Sequence, residues 1–393
     1  MDLTPGLRRA PAPTPSDAPT LSDTDLEARI RDEIHRDGPM TFARFMELAL
    51  YDPEHGYYRR PSSVTVARRE GDFLTAPEMH PLFGATLARP VAESWRACGR
   101  PTEFTIVEYG AGTGALAAAL LDGIREDEPA LASTVTYVPI EVGKPRLAEL
   151  RDRLTTAGHA HTLRDGPMPT TGIAIANEYL DALPVHIVER SAEKLVELRV
   201  VVGSDDALAL VPTEPSTPGL ARRLEDEGVA LAEGQRAEIC LGLDAWADDL
   251  SSRLDTGAIL VIDYGVLAAD LYGPSRPAGT LMAYAGHRAH DDPLVGIGRQ
   301  DLTAHVDFTA VRAALEARGW RPLGITTQAE FLVASGMETV LVRYRELATD
   351  VETLLALRSA AARLLDPRAT GGFRVLGAAR GVTMDLGAAL RAG

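Results

Sequence analysis

The segment at residues 104–114, an apolar strand followed by a turn with alternating glycines, constrains the fold of this chain more than any other. Residues 104–107 have the aromatic and β-branched character of a buried strand, and Glu108 follows them. Gly110, Gly112 and Gly114 then permit a tight turn and leave the backbone open to a ligand. Alanine and leucine predominate just afterwards, which favours a helix. This order predicts the first unit of an α/β sheet.

Strands and helices alternate from this point onward, which predicts a mostly parallel, doubly wound sheet. The candidate strands are 104–109, 135–141, 173–177, 258–263, 323–327 and 373–378, and the candidate helices include 114–125, 145–155, 309–318 and 351–365. The interval 190–247 breaks this rhythm with polar turns and prolines, so we interpret it as an insertion between two halves of one sheet. It would lie between the fourth and fifth strands.

The remaining divisions follow from composition. Residues 1–21 are rich in proline and are expected to be a disordered tail. A helical region follows at 22–100, in which Leu26, Ile30 and Ile34 form an apolar stripe at helical spacing. The sheet would then be built from 101–189 and 248–393, on either side of the insertion.

Charge and composition exclude several classes of function. The chain has 393 residues and a formal net charge of −16, and it has no run rich in lysine or arginine, which argues against nucleic acid as its main partner. No apolar run approaches the roughly 20 residues that a membrane span needs. Cys98 and Cys240 are the two cysteines, so a reducing, cytoplasmic location is expected. Lysine stands only at 144 and 194, which we interpret as the codon bias of a GC-rich bacterium.

Two carboxylates at strand ends predict the cofactor. Glu108 beside the glycines suits a cationic, phosphate-free nucleoside such as S-adenosylmethionine better than a nucleotide pyrophosphate. Glu141 ends the next strand, where a carboxylate accepts hydrogen bonds from ribose hydroxyls. A ligand-free turn and an exposed strand-end charge are the alternative interpretations. A dinucleotide-dependent oxidoreductase shares the arrangement, but its glycines have the wider G-x-G-x-x-G spacing.

A third polar group follows the strand at 173–177. Ligand sites of open α/β sheets lie beyond the carboxyl ends of strands. Asn177, Glu178 and Asp181 are therefore expected to face a methyl acceptor and to orient an amine or guanidinium for in-line transfer. Helix capping by Asn177 or Asp181 is the alternative. The irregular spacing of the histidines at 287, 290 and 305 predicts no metal site.

Six motifs occur in an order that resembles one known family, the MidA-like class I methyltransferases, which include a mitochondrial complex I assembly factor that methylates arginine. The motifs are Gly-Asp-Phe-x-Thr-x-Pro-Glu (71–78), Val-Glu-x-Gly-x-Gly-x-Gly (107–114), Ala-Asn-Glu-x-x-Asp-Ala-Leu-Pro (176–184), Ile-Asp-Tyr-Gly (262–265), Asp-Leu-Thr-Ala-His-Val-Asp-Phe (301–308) and Thr-Gln-x-x-Phe-Leu (327–332). The likeness extends from about residue 40 to about residue 380.

The resemblance implies a Rossmann-like, seven-stranded sheet that binds S-adenosylmethionine, with the strand at 373–378 antiparallel. It implies that the 71–78 turn folds over the cofactor, so that the 22–100 region is also a cofactor cover. The cofactor residues carried over are Glu108, Gly110, Gly112, Glu141, Thr75 and Pro77, while Asn177 and Glu178 would line the acceptor site. The sequence departs from the family pattern at Ala111, Gly143 and Tyr179, and none of these changes removes a carboxylate or a required glycine.

The expected function is methyl transfer to arginine in a protein. Two alternatives stay open, namely a small-molecule or peptide methyltransferase of a bacterial biosynthetic pathway, and an assembly factor that binds the cofactor without turnover. A homodimer is expected from the family alone.

Overall fold

The computed structural model describes residues 24–60, 76–164, 170–285 and 288–384. Its strands are β1 (Met40–Thr41), β2 (Phe104–Tyr109), β3 (Val135–Ile140), β4 (Thr170–Asn177), β5 (His186–Ser191), β6 (Lys194–Val202), β7 (Leu208–Thr213), β8 (Arg236–Ile239), β9 (Leu254–Asp263), β10 (Gly265–Val266), β11 (Met282–Ala285), β12 (Arg288–His290), β13 (Asp301–Thr303), β14 (Val306–Asp307), β15 (Arg321–Thr327) and β16 (Arg374–Arg380).

The described α-helices are α1 (Thr24–Asp37), α2 (Phe42–Tyr51), α3 (Ala76–Met79), α4 (Leu82–Ala97), α5 (Ala115–Asp127), α6 (Pro129–Ala132), α7 (Lys144–Thr156), α8 (Gly219–Asp226), α9 (Leu243–Arg253), α10 (Ala268–Leu271), α11 (Phe308–Glu316), α12 (Gln328–Ala334), α13 (Met337–Leu347) and α14 (Val351–Leu365). Short 3₁₀ turns stand at Tyr57–Arg59, Ala160–Thr162, Leu180–Ala182 and Thr370–Gly372. The predicted strands and helices of the sheet all form, within a few residues of their expected bounds.

A central sheet in the order β15-β16-β9-β4-β2-β3 positions the site. The pairs β2/β3, β2/β4 and β4/β9 are parallel, so the carboxyl ends of these four strands meet at one edge. The last strand, β16, is antiparallel to both of its neighbours, which confirms that prediction. Six strands of this sheet lie in the described ranges. Leu163 adds a single parallel bridge to Tyr137 on the free side of β3, and the seventh strand stays a prediction.

Alternation along the inner strands explains why both faces of the sheet are covered. In β4, Ile173 and Ile175 pack into one apolar cluster with α4 and α5, while Ala174 and Ala176 pack into the cluster on the opposite face, which includes Trp246 of α9. Side chains of successive strand residues point to opposite faces, so a strand that is apolar throughout must be buried on both. The α/β methyltransferase-type layering therefore follows from continuous apolar runs.

A second sheet, in the order β1-β6-β5-β8 with β7 on β6, stands in and around the interval interpreted as an insertion. It begins at His186, before the predicted boundary at 190, and takes β1 from the N-terminal region, where Met40 pairs with Val200. Helix α1 packs into the same apolar cluster as this sheet through the predicted stripe of Leu26, Ile30 and Ile34, all of which are buried, and α2 joins that cluster through Phe42 and Phe45. The N-terminal region is therefore divided between the two sheets, because α4 packs on the central sheet.

Several predictions fall outside the described ranges or concern the whole chain. The 1–21 tail and most of the 71–78 turn, including Thr75, lie outside the described residues.

Cys98 and Cys240 are both free thiols. Across the described ranges, none of the helices is long and apolar enough to span a bilayer.

Candidate methyl-transfer site

The glycine turn between β2 and α5 has three left-handed residues. Gly110, Gly112 and Gly114 have φ angles of 67°, 52° and 78°, in the region that glycine adopts without strain. A Cβ on Gly114 would lie 2.8 Å from Leu150 Cγ, which is too close unless Leu150 shifts, and one on Gly110 would lie 3.0 Å from Tyr179 Cδ2, a tight contact. A Cβ on Gly112 would meet only a backbone oxygen at 3.8 Å. Gly112 therefore faces open space at the strand edge, where a ligand can approach the backbone.

Glu108, in β2, is almost fully buried, with 3% of its surface exposed. The Tyr137 hydroxyl donates to its Oε2 at 2.8 Å. Burial raises the pKa of Glu108 to about 8, and the Tyr137 hydrogen bond opposes that shift. A cationic group bound beside it would favour the ionised carboxylate. This environment fits the charge of a sulfonium nucleoside with an ammonium group and does not fit a pyrophosphate.

Glu141 lies immediately after β3 and joins two turns. Its Oε2 accepts from the Gly112 N–H at 2.9 Å, and its Oε1 accepts from the Gly143 N–H at 2.6 Å. An ionised carboxylate offers about four lone-pair sites. Two of them are used here, so the partly buried carboxylate keeps the capacity to accept from a pair of ribose hydroxyls.

Asn177 and Glu178 leave the carboxyl end of β4 side by side. Asn177 donates through Nδ2 to Glu178 Oε1 at 3.3 Å, while its own Oδ1 is buried and has no partner in the described part of the chain. Asn177 therefore does not cap a helix. Glu178 adopts a φ of 49°, which is uncommon for a residue with a side chain and is concentrated at functional sites. Burial raises its pKa to about 7.

Asp181 lies one short turn further, in the 3₁₀ segment Leu180–Ala182, with 7% of its surface exposed. Its Oδ1 is also buried without a partner among the described residues. Burial raises the pKa of Asp181 to about 6, and the neighbouring Tyr264 hydroxyl opposes that shift. Asn177, Glu178 and Asp181 thus meet at one edge, as predicted from sequence, and two of their oxygens are free to accept hydrogen bonds.

Asp263, the last residue of β9, is a site residue to which the sequence analysis assigned no role. It is fully buried, and its Oδ2 accepts from the backbone N–H groups of Tyr179, Leu180 and Asp181 at 3.2, 3.0 and 3.3 Å. Burial raises its pKa well above the usual range. Asp263 therefore holds the turn that carries Asp181. The signal was present in the sequence as a carboxylate closing an apolar strand, the same pattern that identified Glu108.

The segment just before α4 contacts both Glu178, which follows β4, and the glycine turn, which follows β2. The Ala76 N–H donates to Glu178 Oε1 at 3.1 Å. In the same helix Glu78 interacts with the hydroxyl of Thr113 in the glycine turn, which opposes the upward shift that burial imposes on the pKa of Glu78. Pro77 is buried between them. These contacts place α3 against both Glu178 and the glycine turn, and the cofactor-covering role of this segment stays a prediction.

The edge as a whole has the donor and acceptor set that S-adenosylmethionine requires: a glycine backbone open to the ligand, a carboxylate with unused lone pairs, and buried carboxyls that a cation would neutralise. In the described ranges, no group of three histidine, cysteine or carboxylate side chains is arranged to hold a metal ion.

Comparison with known proteins agrees with this geometry. The model of a family of S-adenosyl-L-methionine-dependent methyltransferases matches residues 86–326. The chain belongs to this family. The mitochondrial protein arginine methyltransferase NDUFAF7 homolog of Drosophila melanogaster is 30% identical over 75% of this chain and 70% of its own length. Human mitochondrial NDUFAF7, also a protein arginine methyltransferase, is 26% identical over 86% of this chain and 79% of its own length.

A solved structure gives the same result for the fold. A Burkholderia thailandensis protein bound to S-adenosyl-homocysteine superposes with a TM-score of 0.84, at 34% identity and with 98% of each chain covered. The predicted MidA-like family, the α/β methyltransferase fold and the S-adenosylmethionine cofactor are thereby confirmed.

Proposed function

We propose that this methyltransferase transfers the methyl group to the guanidinium of an arginine in a protein. The observation that carries the proposal concerns two buried oxygens beside Glu178 at the carboxyl edge. Asn177 Oδ1 and Asp181 Oδ1 have no hydrogen-bond partner among the described residues. Buried acceptors without donors are costly unless a ligand supplies N–H groups, and a guanidinium offers five in a planar array. The arginine methyltransferases among its relatives support the same acceptor.

On this proposal the methyl donor lies along the first half of the edge. Glu108, Gly110, Gly112, Gly114 and Glu141 would hold it, with Pro77 and Thr75 in the segment above. When bound, S-adenosylmethionine supplies an electrophilic methyl group on a sulfonium. Glu141 accepts hydrogen bonds from the Gly112 and Gly143 amides. These bonds fix the position of both turns relative to the carboxylate that would bind the ribose.

The acceptor side must also accept a proton, because the nitrogen that gains a methyl group loses a hydrogen. Glu178 and Asp181 are the carboxyls placed for this step. Burial raises their pKa values to about 7 and about 6, which suits groups that accept a proton near neutral pH. Asn177 would orient the guanidinium through its free Oδ1.

The direct test is transfer of a labelled methyl group. The purified protein is incubated with labelled S-adenosylmethionine and cell lysate, and labelled proteins are digested and mapped by mass spectrometry. Label on arginine in a protein supports the proposal. Label confined to small molecules or small peptides would contradict it, and bound cofactor without any transfer would indicate an assembly factor without turnover.

Finer predictions belong to the same proposal. A seventh strand beside β3 is supported by the bridge between Tyr137 and Leu163. The insertion boundaries at 190 and 247, the bacterial origin, the cytoplasmic location and the homodimer stay predictions that the test above does not address.

A further inference from the structure

A third carboxyl, in addition to Glu178 and Asp181, lies near the acceptor edge, in a part of the chain to which no role has been assigned. Asp301 begins β13, and the Tyr58 hydroxyl donates to its Oδ1 at 2.8 Å. The same segment reaches Asp181 directly, because the Ala304 N–H donates to the Asp181 carbonyl at 3.0 Å. Asp301 and Asp181 are thus close enough for the charge of Asp181 to raise the pKa of Asp301.

Four tyrosines lie around these two carboxyls. The Tyr51 hydroxyl donates to the Ala182 carbonyl at 2.8 Å, and its ring stacks on Tyr58 at 5.6 Å between centroids. Tyr284 of β11 stands directly opposite Asp301 in the β11/β13 pair. Tyr264 lies beside Asp181 and its hydroxyl lowers the pKa of that carboxyl, although the hydroxyl forms no hydrogen bond within the described part of the chain. We call this group the tyrosine chamber, defined by Tyr51, Tyr58, Tyr264, Tyr284, Asp181 and Asp301. The four tyrosines and Asp301 are partly exposed, so they form a surface that a ligand can reach.

Asp181 and Asp301 place two carboxyls in the chamber, and a cation bound there would favour their ionised forms. Neither Asp181 nor Asp301 forms an ion pair with another described residue. Burial and the charge of Asp181 raise the pKa of Asp301 to about 7, while the Tyr58 hydrogen bond and the charge of Arg146 oppose that shift. The guanidinium of Arg146 lies 5.0 Å from the centroid of the Tyr58 ring, and its charge acts on Asp301 from there.

We propose that the tyrosine chamber binds the cationic side chain of the methyl acceptor, with Asp301 as a second acceptor-binding carboxylate and Tyr58 as the residue that positions it. The proposal rests on the proposed function, since it assigns specificity residues to the same site. Carboxylates bind guanidinium through charge-assisted hydrogen bonds, and tyrosine faces attract cations. A neutral side chain of the same shape would leave both carboxyls unpaired and would be rejected.

The N-terminal region then has a role beyond covering the cofactor. Tyr51 ends α2 and Tyr58 follows it in the 3₁₀ turn, and α2 is packed on the second sheet. Acceptor specificity would therefore come from elements outside the central sheet, while the donor is held by the sheet itself.

The test compares two probes of one shape and different charge. Binding of N-acetyl-arginine methylamide and of N-acetyl-citrulline methylamide is measured by titration calorimetry on the full chain saturated with S-adenosylhomocysteine. Because the neutral probe cannot pair with the buried carboxylates, we expect roughly tenfold or greater preference for the arginine probe. Equal affinity for the two probes, or no binding of either, would overturn the proposal.

The variant arm isolates Asp301. D301N should weaken the arginine probe by roughly tenfold or more and leave the citrulline probe nearly unchanged. Y58F should have a smaller effect, and the Y58F/D301N double variant should be no weaker than D301N, because Tyr58 acts through Asp301. D291N is the matched control, since it makes the same change at an exposed aspartate ten positions before Asp301.

Two results would contradict the assignment: unchanged binding of the arginine probe by D301N, or a parallel loss of S-adenosylhomocysteine affinity, which would make Asp301 structural. The proposed function fails separately. If labelled methyl groups go to a side chain that is not basic, the proposed transfer to arginine is wrong. If no transfer occurs in lysate while the arginine probe still binds, the binding role of the tyrosine chamber is supported and the proposed transfer is not.

Discussion

At the scale of single residues, the site is a set of buried carboxyls whose charges are left for ligands to balance. Glu108, Glu178 and Asp181 each have a pKa raised by burial. Glu141 differs, because it is partly exposed and bonded to two backbone amides. Buried carboxyls are costly when they ionise without a partner, so their persistence at one edge indicates a function and not stability.

Glu141 gives the clearest test at this scale. Glu141→Ala should weaken S-adenosylhomocysteine binding by roughly tenfold or more, because charged hydrogen bonds to the ribose and the bond that holds Gly112 are both lost. Titration calorimetry measures the change, and Glu103→Ala, at an exposed position just before β2, is the control. Unchanged affinity would contradict the assignment of Glu141 to the ribose.

Sequence reasoning found some of these residues and missed others for one physical reason. Glu108 and Glu141 were predicted because a charge that ends an apolar run stands out locally. Asp263 has the same local signal, but its role depends on amides of Tyr179, Leu180 and Asp181, about 80 residues earlier in the chain. Asp301 and Tyr58 are 243 residues apart, and no local pattern predicts that they meet.

At the scale of elements, the 3₁₀ turn Leu180–Ala182 is held in place by a side chain from another strand. The amides of Leu180 and Asp181 in this turn, and that of Tyr179 just before it, converge on Asp263 Oδ2. The Tyr264 N–H donates to Asp263 Oδ1 at 2.9 Å. Short turns have few internal hydrogen bonds, so an external acceptor of this kind fixes their geometry. The acceptor edge therefore depends on β9 as well as on β4.

Asp263→Ala should destabilise the protein by about 2–4 kcal/mol, because four backbone amides lose their acceptor in a buried setting. Asp263→Asn should cost less, since one oxygen remains as an acceptor. Chemical denaturation measures both changes, and Asp291→Asn serves as an exposed control. Equal stability of the alanine variant and the wild type would mean that the turn holds itself.

The sequence largely predicted which segments form helices and strands, but it did not predict which strands pair in the second sheet. Helical and strand periodicity located the central sheet and its helices because both are local properties of the chain. The pairing of Met40 with Val200 was not foreseen, since nothing in a two-residue strand specifies a partner 160 positions away. For the same reason the sequence placed the N-terminal region beside the cofactor and did not place it on the second sheet.

At the scale of the whole molecule, the raised pKa values predict how stability depends on pH. Glu108 and Asp301 move from ordinary values of 4.5 and 3.8 to about 8 and about 7. The folded protein therefore holds protons that the unfolded chain has already released. Stability is fully present below about pH 4 for these groups and is lost as pH rises toward 8.

We expect the unfolding temperature of the cofactor-free protein to fall between pH 5 and pH 8. Glu108→Gln should flatten this profile, because an amide has no proton to lose, whereas the exposed control Glu103→Gln should leave it unchanged. Differential scanning calorimetry in a pH series measures both. A wild-type profile that stays level or rises over this range would show that these carboxyls are not enclosed as described.

The account makes one claim above the others, that the donor and the acceptor occupy separate halves of the same edge. Glu178→Gln tests it most directly, because Glu178 lies between them. Methyl transfer and S-adenosylhomocysteine affinity are measured on the same preparation, with Glu103→Gln as the control. We predict that kcat falls by roughly a hundredfold, as expected for loss of a group that accepts a proton, while cofactor affinity stays close to that of the wild type. A parallel loss of cofactor affinity would place Glu178 with the donor and contradict the division.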